Sequence, residues 1–128
     1  MILGIGIDIL DIRRLSPENL REDDPFVKKV FTPKEIAQAR ACADPLDFYA
    51  RRFAGKEAVY KAVKTSPDHV RGTDAEILDD EDGVPACTLH GALLQRAVAK
   101  GGSKMFVSFS RDGNTIVAFA VLEAEIQE

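Results

Sequence analysis

Hydrophobic and polar positions alternate at the start of the chain. Over residues 2–9, Leu3, Ile5, Ile7 and Ile9 fall on one side of an extended segment and Gly4, Gly6 and Asp8 on the other, the period of two that a strand imposes. Two glycines beside an acid remove side-chain bulk, so that side admits close approach by another backbone or by a ligand. The period then changes. Ser16-Pro17 marks one helix start, and Thr32-Pro33-Lys34-Glu35 marks another as a capping box, with Thr32 as N-cap and Glu35 at the third helical position. Asp44-Pro45 opens the longest helical pattern, which runs to about Lys64 before Ser66-Pro67 stops it. Phe48, Tyr49, Phe53, Val59, Tyr60 and Val63 lie on more than one of its faces, the mark of a largely buried helix.

From Asp74 the pattern turns to β: about 74–80, a turn at Asp82-Gly83, then 84–89. Residues 91–100 form a short amphipathic helix closed by Gly101-Gly102. Two strands follow, about 104–110 and 115–122, joined through the hairpin signal Arg111-Asp112-Gly113-Asn114. The elements mix as α+β.

Within that frame, three charged side chains stand out. Lys56, Glu57 and Lys61 sit among apolar neighbours of the long helix, and charges in a buried helix need partners or a metal. Glu57 and Lys61 are four apart and share a face, which by itself is the spacing of an intrahelical salt bridge. Asp8, interrupting the first strand, supplies a second acid. Two acids and a lysine in otherwise apolar elements suggest a metal and phosphate site. The Gly4-x-Gly6 pair does not make a dinucleotide fingerprint, because no third glycine opens a helix.

Bulk properties narrow the classes. At 128 residues, 45% hydrophobic and 30% charged, the chain is expected to form one domain with a core of its own. A net charge of −4 argues against a general nucleic-acid binder. The balance is uneven: residues 1–64 carry 12 basic and 10 acidic side chains, residues 65–128 carry 5 and 11, and the stretch from Lys28 to Lys61 holds eight basic against four acidic. Such a region is either a set of solvated helix faces or a surface that steers an acidic partner or a polyphosphate. Cys42 and Cys87 lack metal-ligand spacing and read as reduced thiols, and His69 and His90 as surface or strand-end residues. No apolar stretch approaches the ~20 residues needed to span a bilayer. No membrane association and a cytoplasmic location are therefore expected.

The opening Gly4-Ile5-Gly6-Ile7-Asp8-Ile9, the middle Arg52-Phe53-Ala54-x-Lys56-Glu57-Ala58-x-x-Lys61-Ala62 and the later Val107-Ser108 together resemble the acyl carrier protein synthase type of 4′-phosphopantetheinyl transferase. The motifs stand in the family's order and at similar spacing, and the resemblance covers essentially the whole chain. It implies a single domain over 1–128 with the 4′-phosphopantetheinyl transferase-like fold, a small antiparallel sheet packed on one long and several short helices. It also implies a homotrimer with active sites between subunits, so that Asp8 and Glu57 would face coenzyme A across a subunit boundary. The implied activity is Mg²⁺-dependent transfer of phosphopantetheine from coenzyme A to a serine of apo acyl carrier protein, in support of fatty-acid biosynthesis.

Carried over residue by residue, Asp8 and Glu57 match the acids that hold Mg²⁺, and Lys61 matches a lysine on the coenzyme A phosphates. Arg52 and Lys56 match basic positions near the same site, and Gly83-x-Pro85 resembles a turn near the adenine. The chemistry suits these residues, since phosphoryl-type transfer is catalysed mainly by positioning and charge neutralisation. Glu57 is also the nearest candidate base for the carrier serine. The chain departs from the family at two places. Arg111 stands after Val107-Ser108-Phe109-Ser110 where the family usually has histidine; it keeps phosphate binding but removes a neutral acid or base. The family's glycine-rich segment after the long helix is replaced by Lys64-Thr65-Ser66-Pro67-Asp68. These departures support an alternative, a non-catalytic coenzyme A-binding relative. A third reading makes Asp8, Glu57 and Lys61 a buried salt bridge between subunits of a structural oligomer.

Overall fold

The computed structural model describes residues 1–125, so the last three residues of the expected 1–128 domain lie outside the described residues. The first strand, β1 (Ile2–Asp11), runs two residues further than its alternation predicts. Ser16-Pro17 opens only a short 3₁₀ turn, Pro17–Leu20. Asp24-Pro25 opens α1 (Pro25–Val30), with the Asp24 carboxylate accepting from the Phe26 N–H at 2.8 Å. The capping box forms at α2 (Pro33–Arg40), where Glu35 N–H donates to Thr32 Oγ1 and Thr32 N–H to Glu35 Oε1. The long helix, α3 (Pro45–Val63), ends where Lys64 turns into the left-handed conformation at φ 63°.

The β-rich half holds β2 (Ala75–Asp79), β3 (Pro85–Leu89), α4 (Gly91–Ala99), β4 (Lys104–Asp112) and β5 (Thr115–Glu123). The strands form one antiparallel sheet in the order β1-β5-β4-β3-β2. The hairpin turn is confined to Gly113 and Asn114, because Arg111 and Asp112 remain in the ladder opposite Ile116 and Thr115.

Helix α3 lies across one face of this sheet, and the small residues of β1 set how close it comes. A Cβ on Gly4 would stand 1.8 Å from the Ala62 carbonyl oxygen, and one on Gly6 1.9 Å from that of Ala58. Beside them in the ladder stand Ala120, opposite Gly6, and Ala118, opposite Asp8. The glycine side of β1 is therefore the helix-packed side, and the close approach it admits is that of the α3 backbone. The apolar core follows this contact, with Ala54, Ala58, Val59, Ala62 and Val63 of α3 fully buried against Ile116, Ala118, Ala120 and Leu122 of β5. A second core cluster joins α1, α2 and the N-terminal half of α3 through Val27, Phe31, Phe48 and Tyr49.

The opposite face of the sheet is open. Ile5, Ile7 and Ile9 are each more than half exposed, and they stand opposite Val121, Phe119 and Val117. Phe106 on β4, itself 52% exposed, extends the patch beside Val121. An apolar stripe that alternation alone would assign to a core thus faces outward.

Candidate active site

Asp8 reaches the long helix because strand and helix advance together. Two strand residues rise about 6.6 Å and four helical residues about 6 Å, so the contacts Gly4 to Ala62 and Gly6 to Ala58 put Asp8 beside the preceding turn of α3. There Asp8 and Glu57 line one cavity of about 530 Å³ with Arg14, Ser16, Asn19, Phe26 and Phe53. Glu57 is half-buried, and burial pushes its carboxyl up from the ordinary range; the negative charge of Asp8 adds to that and Lys61 opposes it. Lys61, one turn further on, donates from Nζ to the Ile7 carbonyl at 2.9 Å and to Asp8 Oδ1 at 3.2 Å. The sequence-predicted trio of Asp8, Glu57 and Lys61 is brought together. Its lysine pairs with the acid 53 residues away, and no ion pair joins Glu57 to Lys61 among the described residues.

A second cavity of about 480 Å³ opens on Glu57, lined in part by Lys28, Lys29, Arg71, Tyr60 and Val70. Glu57 and Phe53 are common to both cavities. With Arg14 at the first and Lys28, Lys29 and Arg71 at the second, the half-buried acid sits within a basic rim. Much of the basic stretch read from the sequence is neutralised within the chain: Arg40 pairs with Glu22, Arg51 with Asp47, Arg52 with Asp79 and Lys56 with Glu35.

Lys56 corrects the expectation that it contacts coenzyme A. Its side chain is buried, and Nζ donates to Glu35 Oε1 at 2.9 Å, to the Gly72 carbonyl at 2.8 Å and to the Ala75 carbonyl at 2.6 Å. An ammonium has three donors, so none remains for a phosphate. Burial pulls its pKa down while Glu35 pulls it up. Glu35, visible in sequence only as part of a helix cap, also accepts from the Ile77 N–H at 2.9 Å. One buried carboxylate thereby joins α2, α3 and β2.

The remaining predicted residues gather elsewhere. Arg52, Gly83 and Pro85 line a cavity of about 500 Å³ with Asp47, Arg51, Asp79, Val107 and Ser108. Arg52 turns its guanidinium onto Asp79 at 2.7 Å, with Cζ 3.8 Å from the centre of the Phe48 ring, so it forms a wall of the cavity with its charge already paired. Arg111 meets the same place through Asp47, whose carboxylate takes Arg111 Nη1 at 2.7 Å and Arg51 Nε at 2.8 Å. Sequence reasoning missed Asp47 and Arg51, although their spacing of four on a helix was an available signal. It also missed Arg14, which no local pattern marks. Cys87 and Cys42 are free thiols, and burial pushes the Cys87 thiol up to about 12. His69 and His90 are exposed.

Comparison with known proteins shows the family and the fold. A family model described as the 4′-phosphopantetheinyl transferase superfamily matches residues 4–120. The chain is 37% identical over 122 residues to a holo-[acyl-carrier-protein] synthase of Natranaerobius thermophilus, covering 95% of this chain and 98% of that protein. It superposes on the crystal structure of holo-[acyl-carrier-protein] synthase from Neisseria meningitidis with a TM-score of 0.81 at 33% identity, covering 96% and 99% of the two chains. It also superposes on the Bacillus anthracis enzyme in complex with CoA (3′,5′-ADP), with a TM-score of 0.78 at 30% identity and 98% and 99% coverage.

Proposed function

The chain belongs to the 4′-phosphopantetheinyl transferase superfamily, and we propose that it is a holo-acyl carrier protein synthase, a single domain over residues 1–128 that transfers 4′-phosphopantetheine from coenzyme A to a serine hydroxyl of apo acyl carrier protein. The observation that carries this reading is the meeting of Asp8 and Glu57 from facing elements at an open cavity, with Lys61 hydrogen-bonded to Asp8.

The donor set suits Mg²⁺. Two carboxylates lining one cavity, one of them half-buried and with its pKa raised first by burial and then by the charge of the other, attract a divalent cation, and among the described residues no cluster of three or more His, Cys, Asp or Glu is arranged to hold a metal. Mg²⁺ is ordinarily held by one or two carboxylates, with waters and substrate phosphates completing its shell. Asp8 and Glu57 would hold it. When bound, the ion supplies charge neutralisation at the pyrophosphate whose bond is broken.

The chain's own residues do the positioning. Lys61 presents a point charge to the coenzyme A phosphates. Glu57 serves first as a ligand and is also the nearest candidate base for the proton at the carrier serine Oγ. Arg111, Gly83 and Pro85 form the coenzyme A-binding end with Arg52 as its wall. Its phosphate-binding capacity lies in the Arg51–Asp47–Arg111 cluster, which carries one net positive charge. The basic rim of Arg14, Lys28, Lys29 and Arg71 suits an acidic acyl carrier protein, whose serine must reach Glu57.

The open apolar sheet face supports the homotrimer. Three-fold association would cover Ile5, Ile7, Phe119 and Phe106, and would let the two ends of the coenzyme A site come from different subunits. The location proposed is cytoplasmic and the role is fatty-acid biosynthesis; no helix among the described residues is long and apolar enough to cross a membrane. Intact-mass spectrometry of an apo acyl carrier protein incubated with this protein, coenzyme A and Mg²⁺, beside an EDTA control, tests the reading. The expected result is a gain of one phosphopantetheine arm that EDTA abolishes. No gain across several carriers, with coenzyme A still bound, would leave a non-catalytic binding protein.

A further inference from the structure

Asp8 already carries a cation. Lys61 Nζ is 3.2 Å from Asp8 Oδ1 and 2.9 Å from the Ile7 carbonyl, two acceptors one residue apart that hold the ammonium over the edge of β1. Glu57, one turn earlier on the same helix, has no ion-pair partner among the described residues. Thus a single positive charge is parked on one of the two acids, at one of the two Asp8 carboxylate oxygens. The Lys61 side chain is 55% exposed while that of Asp8 is 19% exposed, so the lysine is the member free to move and Asp8 the member fixed by its strand.

These positions set one demand. Lys61 must leave Asp8 Oδ1 if that oxygen is to bind a divalent cation, whereas a phosphate can first engage the third N–H of the ammonium, which neither Ile7 nor Asp8 takes. We infer that Lys61 is a placeholder cation: in the empty protein its hydrogen bond to Asp8 occupies the metal seat, and the pyrophosphate of coenzyme A opens the seat by drawing the ammonium away. Binding of metal and of coenzyme A is then mutually favourable by more than the phosphate oxygens alone contribute, and by reciprocity each tightens the other by the same factor. This rests on the reading that Asp8 and Glu57 hold the metal. Lys61 acts here as a positioning residue before any substrate is present, in addition to its contact with phosphate afterwards.

The gate is a weak one. An ion pair with an exposed lysine is worth little, so it delays no binding step noticeably and shows itself only as a difference in affinity. The readout is therefore direct metal binding, independent of turnover. Mn²⁺ is titrated into the protein, with the free-ion signal followed by electron paramagnetic resonance, for wild type, Lys61→Met and Lys34→Met, each with and without coenzyme A. Lys34 is an exposed lysine of α2 with no ion pair among the described residues, and it controls for the loss of one positive charge anywhere.

Without coenzyme A, Lys61→Met is expected to bind Mn²⁺ roughly two- to five-fold more tightly than wild type, and Lys34→Met with about the wild-type affinity. Coenzyme A is expected to tighten Mn²⁺ binding less in Lys61→Met than in wild type. Equal Mn²⁺ affinity of Lys61→Met and wild type, or an equal gain in both lysine variants, overturns the placeholder while leaving the metal site intact. An Asp8→Asn variant separates the two levels: if it binds Mn²⁺ as wild type does with coenzyme A present, the metal reading itself fails, and the placeholder with it.

Discussion

The Lys56 ammonium stands 2.9 Å from the Glu35 carboxylate, both buried, with two backbone carbonyls completing the lysine and two backbone N–H groups completing the acid. Such a pair is fully satisfied, and removing one member strands the other. Glu35→Ala is expected to cost about 3–5 kcal/mol in urea denaturation, while Glu35→Met combined with Lys56→Met costs less than the sum of the single changes. Additive costs would show that the two side chains are not energetically paired. Lys56→Met should weaken the fold without a specific rise in KM for coenzyme A.

Gly6 predicts a different kind of failure. A methyl group there meets the Ala58 carbonyl at 1.9 Å, and neither backbone can yield without parting β1 from α3. Gly6→Ala is expected to lose about 1–3 kcal/mol or more through overpacking. Activity should fall further than stability, because Asp8 shifts with β1 while Glu57 stays on the helix. Transfer rate and thermal melting measured on the same sample decide this; normal turnover in a well-folded Gly6→Ala protein would contradict the geometry.

Glu57 links stability to pH. Burial first, then the charge of Asp8, raises its folded pKa above the ordinary 4.5, so the folded state holds the proton more tightly than the unfolded one. Ionised Glu57 therefore costs the fold stability as pH rises from the ordinary glutamate value through the raised one, and costs nothing below that window. Metal-free Glu57→Gln should melt higher than wild type at about pH 7.5, with the advantage fading as pH falls toward 4.5. Adding Mg²⁺ and coenzyme A should reverse the order, since the ligands stabilise only a protein that binds them. Equal melting at both pH values would mean that neither burial nor the charge of Asp8 raises the Glu57 pKa in the fold.

What could be read from sequence divides along the distance between partners. The N-cap and proline signals at Thr32 and Asp44 are local, and both helices start where they say. The same signal at Asp24-Pro25 was passed over because α1 is too short to show a helical period. Strand β1 was legible as a strand, and its glycine side as one that admits another backbone, but the outward turn of its isoleucines was not. Isoleucine outranks glycine on any hydrophobic scale, whereas the buried face was decided by how closely α3 packs. Asp8, Glu57 and Lys61 were found because each charge interrupts an apolar element. Lys56 gave the same local signal and a different outcome, since its acceptors come from Glu35, Gly72 and Ala75. The grip of Asp47 on Arg111 spans 64 residues and left no local trace.

Arg111 is expected to act on binding rather than on proton transfer. Its Nε donates to the Gly113 carbonyl at 2.8 Å and Nη1 to Asp47 at 2.7 Å, which fixes the guanidinium plane. The Nη2 donors make no hydrogen bond among the described residues and are left for an anion. Arg111→Ala should raise KM for coenzyme A about ten-fold, in line with the loss of one charge-assisted hydrogen bond, with kcat little changed. Steady-state kinetics at saturating carrier protein measures this. A fall in kcat at unchanged KM would assign Arg111 to the chemical step.

Phe119 tests whether the open sheet face is the subunit contact. It stands between Ile7 on β1 and Ser108 on β4, at the middle of a patch that also holds Ile5, Val121 and Phe106. Its side chain is 41% exposed and points away from α3, so a lysine there leaves the core of the subunit unchanged. In an assembled trimer the same lysine would be buried among apolar groups without a partner, and an unpaired buried charge costs several times what an exposed one does. Phe119→Lys is therefore expected to elute as a folded single chain of 14.0 kDa where wild type elutes at three times that mass, as read by light scattering. Because the cavity with Asp8 and Glu57 and the cavity with Asp47 and Arg51 lie apart on one chain, the dissociated protein should also lose turnover while keeping its circular dichroism. A wild-type protein that elutes as one chain would remove the trimer, and an assembled Phe119→Lys would move the interface to another face.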